Sequence, residues 1–185
     1  MRIACIGWGS LVWNPKALHL AGPWQQGGPR LPLEFARQSQ DGRLTLVLVE
    51  GAAEVPTQFV ELAYNSAEQA QECLAGREGS GVEAIGVWPG PPPRYPVGAA
   101  AIAAWGQDNG FDAVVWTALR PKFRGVYGQV AKDADDVLDY LRGLDEETSM
   151  RAREYVTKAP VEVRTPYRLA IEEALGWIAV APEAA

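Results

Sequence analysis

Short apolar runs dominate the first two thirds of the chain, and helical spacing with clear start and stop signals dominates the last third. Residues 3–6 read as a buried strand, and the glycine-punctuated run Gly7, Trp8, Gly9, Ser10, Leu11 reads as a loop leaving its end. Residues 44–49, introduced by the Asp41-Gly42 turn, and residues 59–64 are predicted as two further strands, neighbouring and antiparallel. A helix is expected from Ser66, where Ser66 and Gln69 have capping-box spacing, to Gly76, a residue type suited to a left-handed cap. Glu78 then lies in a glycine-flanked loop.

A strand over 82–88 follows, and it is stopped by the proline-rich run 89–96, which lacks the donors a sheet needs. The pattern next predicts a short alanine-rich helix over 99–105, a turn at Asn109-Gly110, a strand over 111–119, and a basic aromatic loop over 120–124. Three helices close the chain, over 135–142, 146–158, and from Thr165-Pro166 to Gly176. Strands early and helices late, without repeat or linker, predict one α+β domain spanning residues 1–185.

Composition narrows the partners. A chain of 185 residues, 48% hydrophobic, is long enough for a self-sufficient core. Its net charge of −6 offers no basic field for nucleic acid or an anionic membrane, so neither is expected as a partner. Residues 131–185 hold 7 basic against 12 acidic groups, which places the acidity on the C-terminal helices, read as a solvated face. Cys5, Cys73 and the lone His19 have no disulfide-framework or zinc spacing, so neither is expected, and a thiol-reducing, cytoplasmic setting fits best.

Candidate chemistry begins at the first loop. Gly7-Trp8-Gly9 lacks the third glycine of a dinucleotide fingerprint and the lysine of a P-loop. Either a structural turn or a nest of N–H groups for a carboxylate, with the Ser10 hydroxyl beside it, suits these residues. Glu78 is a candidate general acid/base if its loop turns it into a pocket where burial raises its pKa, with Glu50, Glu54, Glu61 and Glu83 as competitors. Arg37, Arg120, Lys122 and Arg124 are candidates to neutralise a substrate carboxylate. Trp8, Trp13 and Trp24 are the tryptophans best placed to line a pocket, and Trp88 and Trp116 read as core.

In this order the pieces resemble the γ-glutamylcyclotransferase-like family, including its glutathione-specific ChaC type. The run Trp8-Gly9-Ser10-Leu11-Val12-Trp13-Asn14-Pro15 is similar to the family's Tyr-Gly-Ser-Leu loop, with Trp8 in place of the tyrosine. Residues 35–43 are similar to the stretch before the next strand, and the strand, helix and Glu-Gly of residues 62–79 match the place of the family's catalytic glutamate, which lands on Glu78. The resemblance covers residues 1–80. It implies a small mixed barrel-like sheet with surrounding helices and a cyclisation without cofactor or metal, in which a γ-glutamyl small molecule releases 5-oxoproline. Glu78 would move the proton, the Gly9, Ser10 and Leu11 amides with Trp8 would hold the substrate, and Arg37 would supply a supporting charge. The alternative on the same fold is a module that binds a small carboxylate or γ-glutamyl ligand without turning it over.

Overall fold

The computed structural model describes residues 1–180. In chain order the first elements are β1 (Ile3–Gly7), α1 (Ser10–Trp13), β2 (Gln25–Gln26), β3 (Leu31–Gln38), β4 (Leu44–Leu48), β5 (Glu54–Val55), β6 (Gln58–Leu62) and α2 (Ala67–Glu78). After a 3-10 turn at Val82–Ala84 come β7 (Ile85–Trp88), α3 (Ala99–Asp108) and β8 (Ala113–Thr117). The hairpin β9 (Lys122–Phe123) and β10 (Val126–Tyr127) leads into α4 (Ala134–Arg142), α5 (Glu146–Lys158) and α6 (Pro166–Leu175). The class is α+β. Among the described residues, no helix is long and apolar enough to cross a membrane.

Two compact units form, one from Met1–Leu31 and Pro56–Leu119, the other from Pro32–Val55 and the residues from 120 onward. The first holds a mixed sheet in the order β2-β6-β1-β8-β7, in which β1 runs parallel to β8 and the other pairs are antiparallel. All five residues of β1 are buried, as a central strand covered on both faces requires. One face presents Ile3, Cys5, Val60, Leu62 and Val115 to Ala70 and Leu74 of α2. The other meets α3, where Trp105 packs edge-on to Phe59 with ring centroids 5.0 Å apart. A Cβ at Gly106 would lie 2.5 Å from the Val114 side chain, so only glycine lets α3 come this close.

In the second unit β3 pairs with β4 antiparallel and with β9 in parallel, and β10 pairs with β9. This overturns the expected pairing of residues 44–49 with 59–64, because β4 and β6 belong to different sheets. The helices are capped as their sequences foretell: Asp133, Asp145 and Thr165 accept from backbone N–H groups in the first turns of α4, α5 and α6. The end of α5 is closed by Arg168, a fully buried side chain donating to the carbonyls of Val156, Ala159, Pro160 and Val163. Val156 and Ala159 stand at the C-terminal end of α5, where a helix leaves carbonyls without partners of its own, and Pro160 and Val163 belong to the segment that follows.

Candidate functional site at the end of the first strand

The loop leaving β1 is shorter than its glycines suggest. Trp8 is buried, Gly9 caps a single helical turn over Ser10–Trp13, and the Asn14 N–H closes on the Ser10 carbonyl at 2.8 Å. Pro15 ends the turn by disfavouring helical geometry at Asn14, whose φ and ψ are −143° and 70°. No side chain caps the N-terminus of this turn. Leu11 is buried in the core under α2, which anchors the turn from below. Trp24 packs across the strand end, where a Cβ at Gly7 would lie 2.5 Å from its ring.

Helix α2 starts at its Ser66 cap as expected, with the Ser66 hydroxyl accepting from the Gln69 N–H. It then passes through Gly76 and stops two residues later. Gly79, at φ 64°, takes the left-handed cap, and the Ser80 N–H returns to the Ala75 carbonyl at 3.0 Å. A glycine inside a helix costs about 1 kcal/mol relative to alanine, and the helix continues past it through Arg77 and Glu78. Glu78 is therefore the last helical residue rather than part of a loop, and its direction is set by the helix.

What lies between the turn and Glu78 is Arg77. Its Nε and Nη2 donate to the Asn14 carbonyl at 3.2 and 2.7 Å, Nη2 also to the Ser10 hydroxyl at 3.2 Å, and Nη1 to Glu78 Oε1 at 2.7 Å. The two side chains are 6% and 15% exposed, so this ion pair is shielded from water. Thr117, the last residue of β8, donates its hydroxyl to the same Oε1 at 3.3 Å. Both bonds fall on one carboxylate oxygen. Lys16 adds a second cation, its ammonium donating to the Arg77 carbonyl at 3.1 Å.

Beneath this cluster lies Cys5. Burial pushes its thiol well above the usual range, the Glu78 charge pushes it further, and the Arg77 guanidinium opposes both. The proton is held on sulfur, so Cys5 is suited to packing and not to nucleophilic attack.

Of the six expected site residues, Trp8, Gly9, Ser10, Leu11 and Glu78 fall in the first unit, and Arg77 ties Ser10 to Glu78 directly. Arg37 belongs to the second unit, where its Nη1 donates to the Arg120 carbonyl at 2.7 Å. Arg120 and Lys122 stand beside the Tyr127 ring, and Arg124 pairs with Asp136 at 2.8 Å. Among the competing glutamates, Glu61 pairs with Arg2 on the surface, and Glu50, Glu54 and Glu83 are exposed. His19 is exposed and stacks on Tyr64, with ring centroids 5.5 Å apart. Trp116 is core, as its apolar strand predicts.

Sequence reasoning missed Arg77, Lys16 and Thr117, whose only signal was nearness to a motif residue or a strand end. It also missed Glu34, a buried carboxylate in β3. Glu34 accepts from the Thr165 hydroxyl and the Phe35 and Tyr167 N–H groups, and it lines a cavity of about 330 Å³ with Glu50, Val49, Val130 and Tyr167. Burial raises its pKa against the pull of these three bonds.

In comparisons with known proteins, no family model matches the chain, and no curated protein or solved structure is significantly similar to it.

Proposed function

We propose that the first unit is a γ-glutamyl cyclotransferase site, with Glu78 as the group that moves the proton. The observation that supports this reading is the Arg77 guanidinium, which joins Ser10 on the strand-end turn to the Glu78 carboxylate, two places the sequence separates by 68 positions. In the reaction, the substrate's α-amine attacks its own γ-carbonyl carbon. The new C–N bond closes a five-membered ring as the bond to the attached nitrogen breaks, giving 5-oxoproline and a free amine or amino acid. No water is consumed. The α-ammonium must lose a proton before it attacks, and the leaving nitrogen must gain one.

Glu78 serves both transfers: Arg77 and Thr117 hold Oε1, and Oε2 has no hydrogen bond from the described residues and is the oxygen that carries the proton. The Gly9, Ser10 and Leu11 amides at the head of the uncapped turn receive the α-carboxylate, and Lys16 adds positive charge on that side. Since ring closure is already intramolecular, the main gain comes from fixing one rotamer with amine and carbonyl in contact. The two free thiols suit a reducing, cytoplasmic setting.

The test is release of 5-oxoproline from a panel of γ-glutamyl peptides and amines, for the wild type and for Glu78→Gln. The glutamine variant is expected to keep its circular dichroism spectrum and lose about 10²- to 10⁴-fold in turnover. Full activity of that variant, or no product from any substrate, overturns the reading. The shielded Arg77–Glu78 ion pair also favours a second reading, a non-catalytic module in which Glu78 only braces the turn. Saturable binding of a γ-glutamyl compound without product would favour that module.

A further inference from the structure

Four cations, Arg37, Arg120, Lys122 and Arg124, lie on or beside the second sheet. Arg37 in β3 is in register with Lys122 in β9, and Lys122 with Tyr127 in β10, so the three residues form one row across three strands. Side chains alternate along a strand, and the neighbours of Lys122 and Tyr127 fix the sense: Phe123 is fully buried, which turns Lys122 and Tyr127 to the opposite face. The two-residue turn that makes this possible has Arg124 at φ 47° and Gly125 at φ 83°, the paired left-handed geometry of a tight hairpin. Arg124 is one of only two non-glycine residues with positive φ among the described residues. Arg120, from the loop before β9, is drawn into the row by the bond from Arg37 to its carbonyl.

The result is a concentration of charge around one ring. The Arg120 and Arg37 guanidinium carbons lie 4.8 and 5.7 Å from the Tyr127 centroid, and the Lys122 ammonium lies 5.2 Å from it. Cation–π attraction holds each charge near the ring, but the three cations repel one another. Neither Arg120 nor Lys122 has a carboxylate partner among the described residues, whereas Arg124 next to them pairs with Asp136. Tyr127 is 55% exposed, so the row faces water. In a chain of net charge −6, such a patch is placed against the general charge of the molecule.

We propose that the Arg37, Arg120, Lys122 and Tyr127 row is a binding site for the phosphoryl group of a small soluble ligand. A single carboxylate would balance only one of the Arg120 and Lys122 charges, while a phosphate or diphosphate carries two or more negative charges on closely spaced oxygens. The Arg120 guanidinium fork matches that oxygen geometry, the lysine adds a movable point charge, Arg37 adds a positive charge beside them, and the phenol adds a donor at the rim. The site is built wholly from second-unit residues and does not depend on the chemistry assigned to Glu78.

Isothermal titration of the intact chain with inorganic pyrophosphate, ADP and, as control, succinate tests this at constant ionic strength. Saturable binding of pyrophosphate is expected, weakened about 10- to 100-fold in the double variant Arg120→Gln, Lys122→Gln. Arg120 is exposed and Lys122 half-buried, and an unchanged thermal melt shows that the variant is folded. Arg120→Glu alone keeps the test sharp, because it reverses one charge at an exposed position and should weaken pyrophosphate at least as much as the glutamine. Tighter binding of ADP places a nucleobase on this face, and equal affinity leaves the phosphates as the whole determinant. Either result sustains the proposal. No saturable pyrophosphate binding, the same affinity in the double variant, or succinate binding as tightly as pyrophosphate overturns it.

Discussion

Arg77 closes the carbonyl of Asn14 with two N–H groups, at 3.2 and 2.7 Å, across 63 positions of sequence. The same guanidinium reaches Ser10 and Glu78, so one side chain determines where the first turn stands relative to the end of α2. Replacing it with alanine leaves a shielded carboxylate without its cation and a carbonyl without its donors. A loss of about 3 kcal/mol is expected, read from urea unfolding. Arg77→Lys should recover only part of it, because an ammonium on a flexible stem cannot serve three acceptors in a plane. Equal stability of the alanine variant and the wild type would show that Asn14 and Glu78 find other partners.

Thr117 touches the site through a single bond of 3.3 Å to Glu78 Oε1. Valine has the same shape without the hydroxyl. Thr117→Val should leave the fold intact and lower kcat for 5-oxoproline release by about ten- to a hundredfold, the worth of one hydrogen bond to a charged group. KM should move little, since the hydroxyl addresses Glu78 and not the substrate. A rise in KM with kcat unchanged would place Thr117 in substrate binding instead.

The two cysteines should differ sharply in reactivity. Cys5 is fully buried in β1, and burial together with the Glu78 charge keeps its proton on sulfur, while Cys73 is half-buried at the edge of the same core. Iodoacetamide at mildly alkaline pH should label Cys73 in the native protein and Cys5 only after urea is added, as read by peptide mass spectrometry. Comparable native rates at both positions would mean that β1 opens far more readily than a central strand should.

How legible each element was depended on how local its cause is. Helices α5 and α6 are bounded by Asp145, Pro160, Thr165 and Gly176, residues that act within one turn, and their predicted bounds match the observed ones closely. β3 went unread; it holds Pro32, a residue type rare inside strands, whose carbonyl here accepts from the Val49 N–H at 2.8 Å. The partners of β4 and β6 were misjudged for a different reason. Strand pairing is settled by which hydrophobic face is buried where, and β1 pairs with β6 although more than fifty residues separate them. The β9–β10 hairpin has strands of two residues, too short for any periodic signal. At the site, Glu78 was visible as a carboxylate near a helix end, even though the cap falls at Gly79 and not at Gly76. Arg77 was not visible, because its role is defined by a carbonyl and a hydroxyl that the sequence places far away.

The last prediction concerns pH and the buried carboxylate of β3. Burial holds the Glu34 pKa above its ordinary value of 4.5, although three hydrogen bonds favour the charged form. In the unfolded chain the group ionises near that ordinary value, and in the folded unit it keeps its proton to higher pH. Below 4.5 both states are protonated and the contribution to stability is fully present. As pH rises through the window up to the folded pKa, the unfolded state loses its proton first, so folding is progressively disfavoured, and above the folded pKa the effect is constant. Asp41 and Asp145 act oppositely and in a more acid range, since hydrogen bonds hold both below their ordinary value of 3.8. Their contributions are present at neutral pH and lost as pH falls through their folded pKa values. Glu34→Gln removes the first effect and leaves these two untouched. The amide also places one donor against the backbone, because it cannot accept from Thr165, Phe35 and Tyr167 all at once. That cost does not vary with pH, and the difference between wild type and variant isolates the titration. The stability gap, measured by urea unfolding from pH 4.5 to 7.5, is therefore expected to shift in favour of the glutamine variant as pH rises. A gap that stays flat over that range would mean that the carboxylate is ionised at the same pH whether or not the chain is folded.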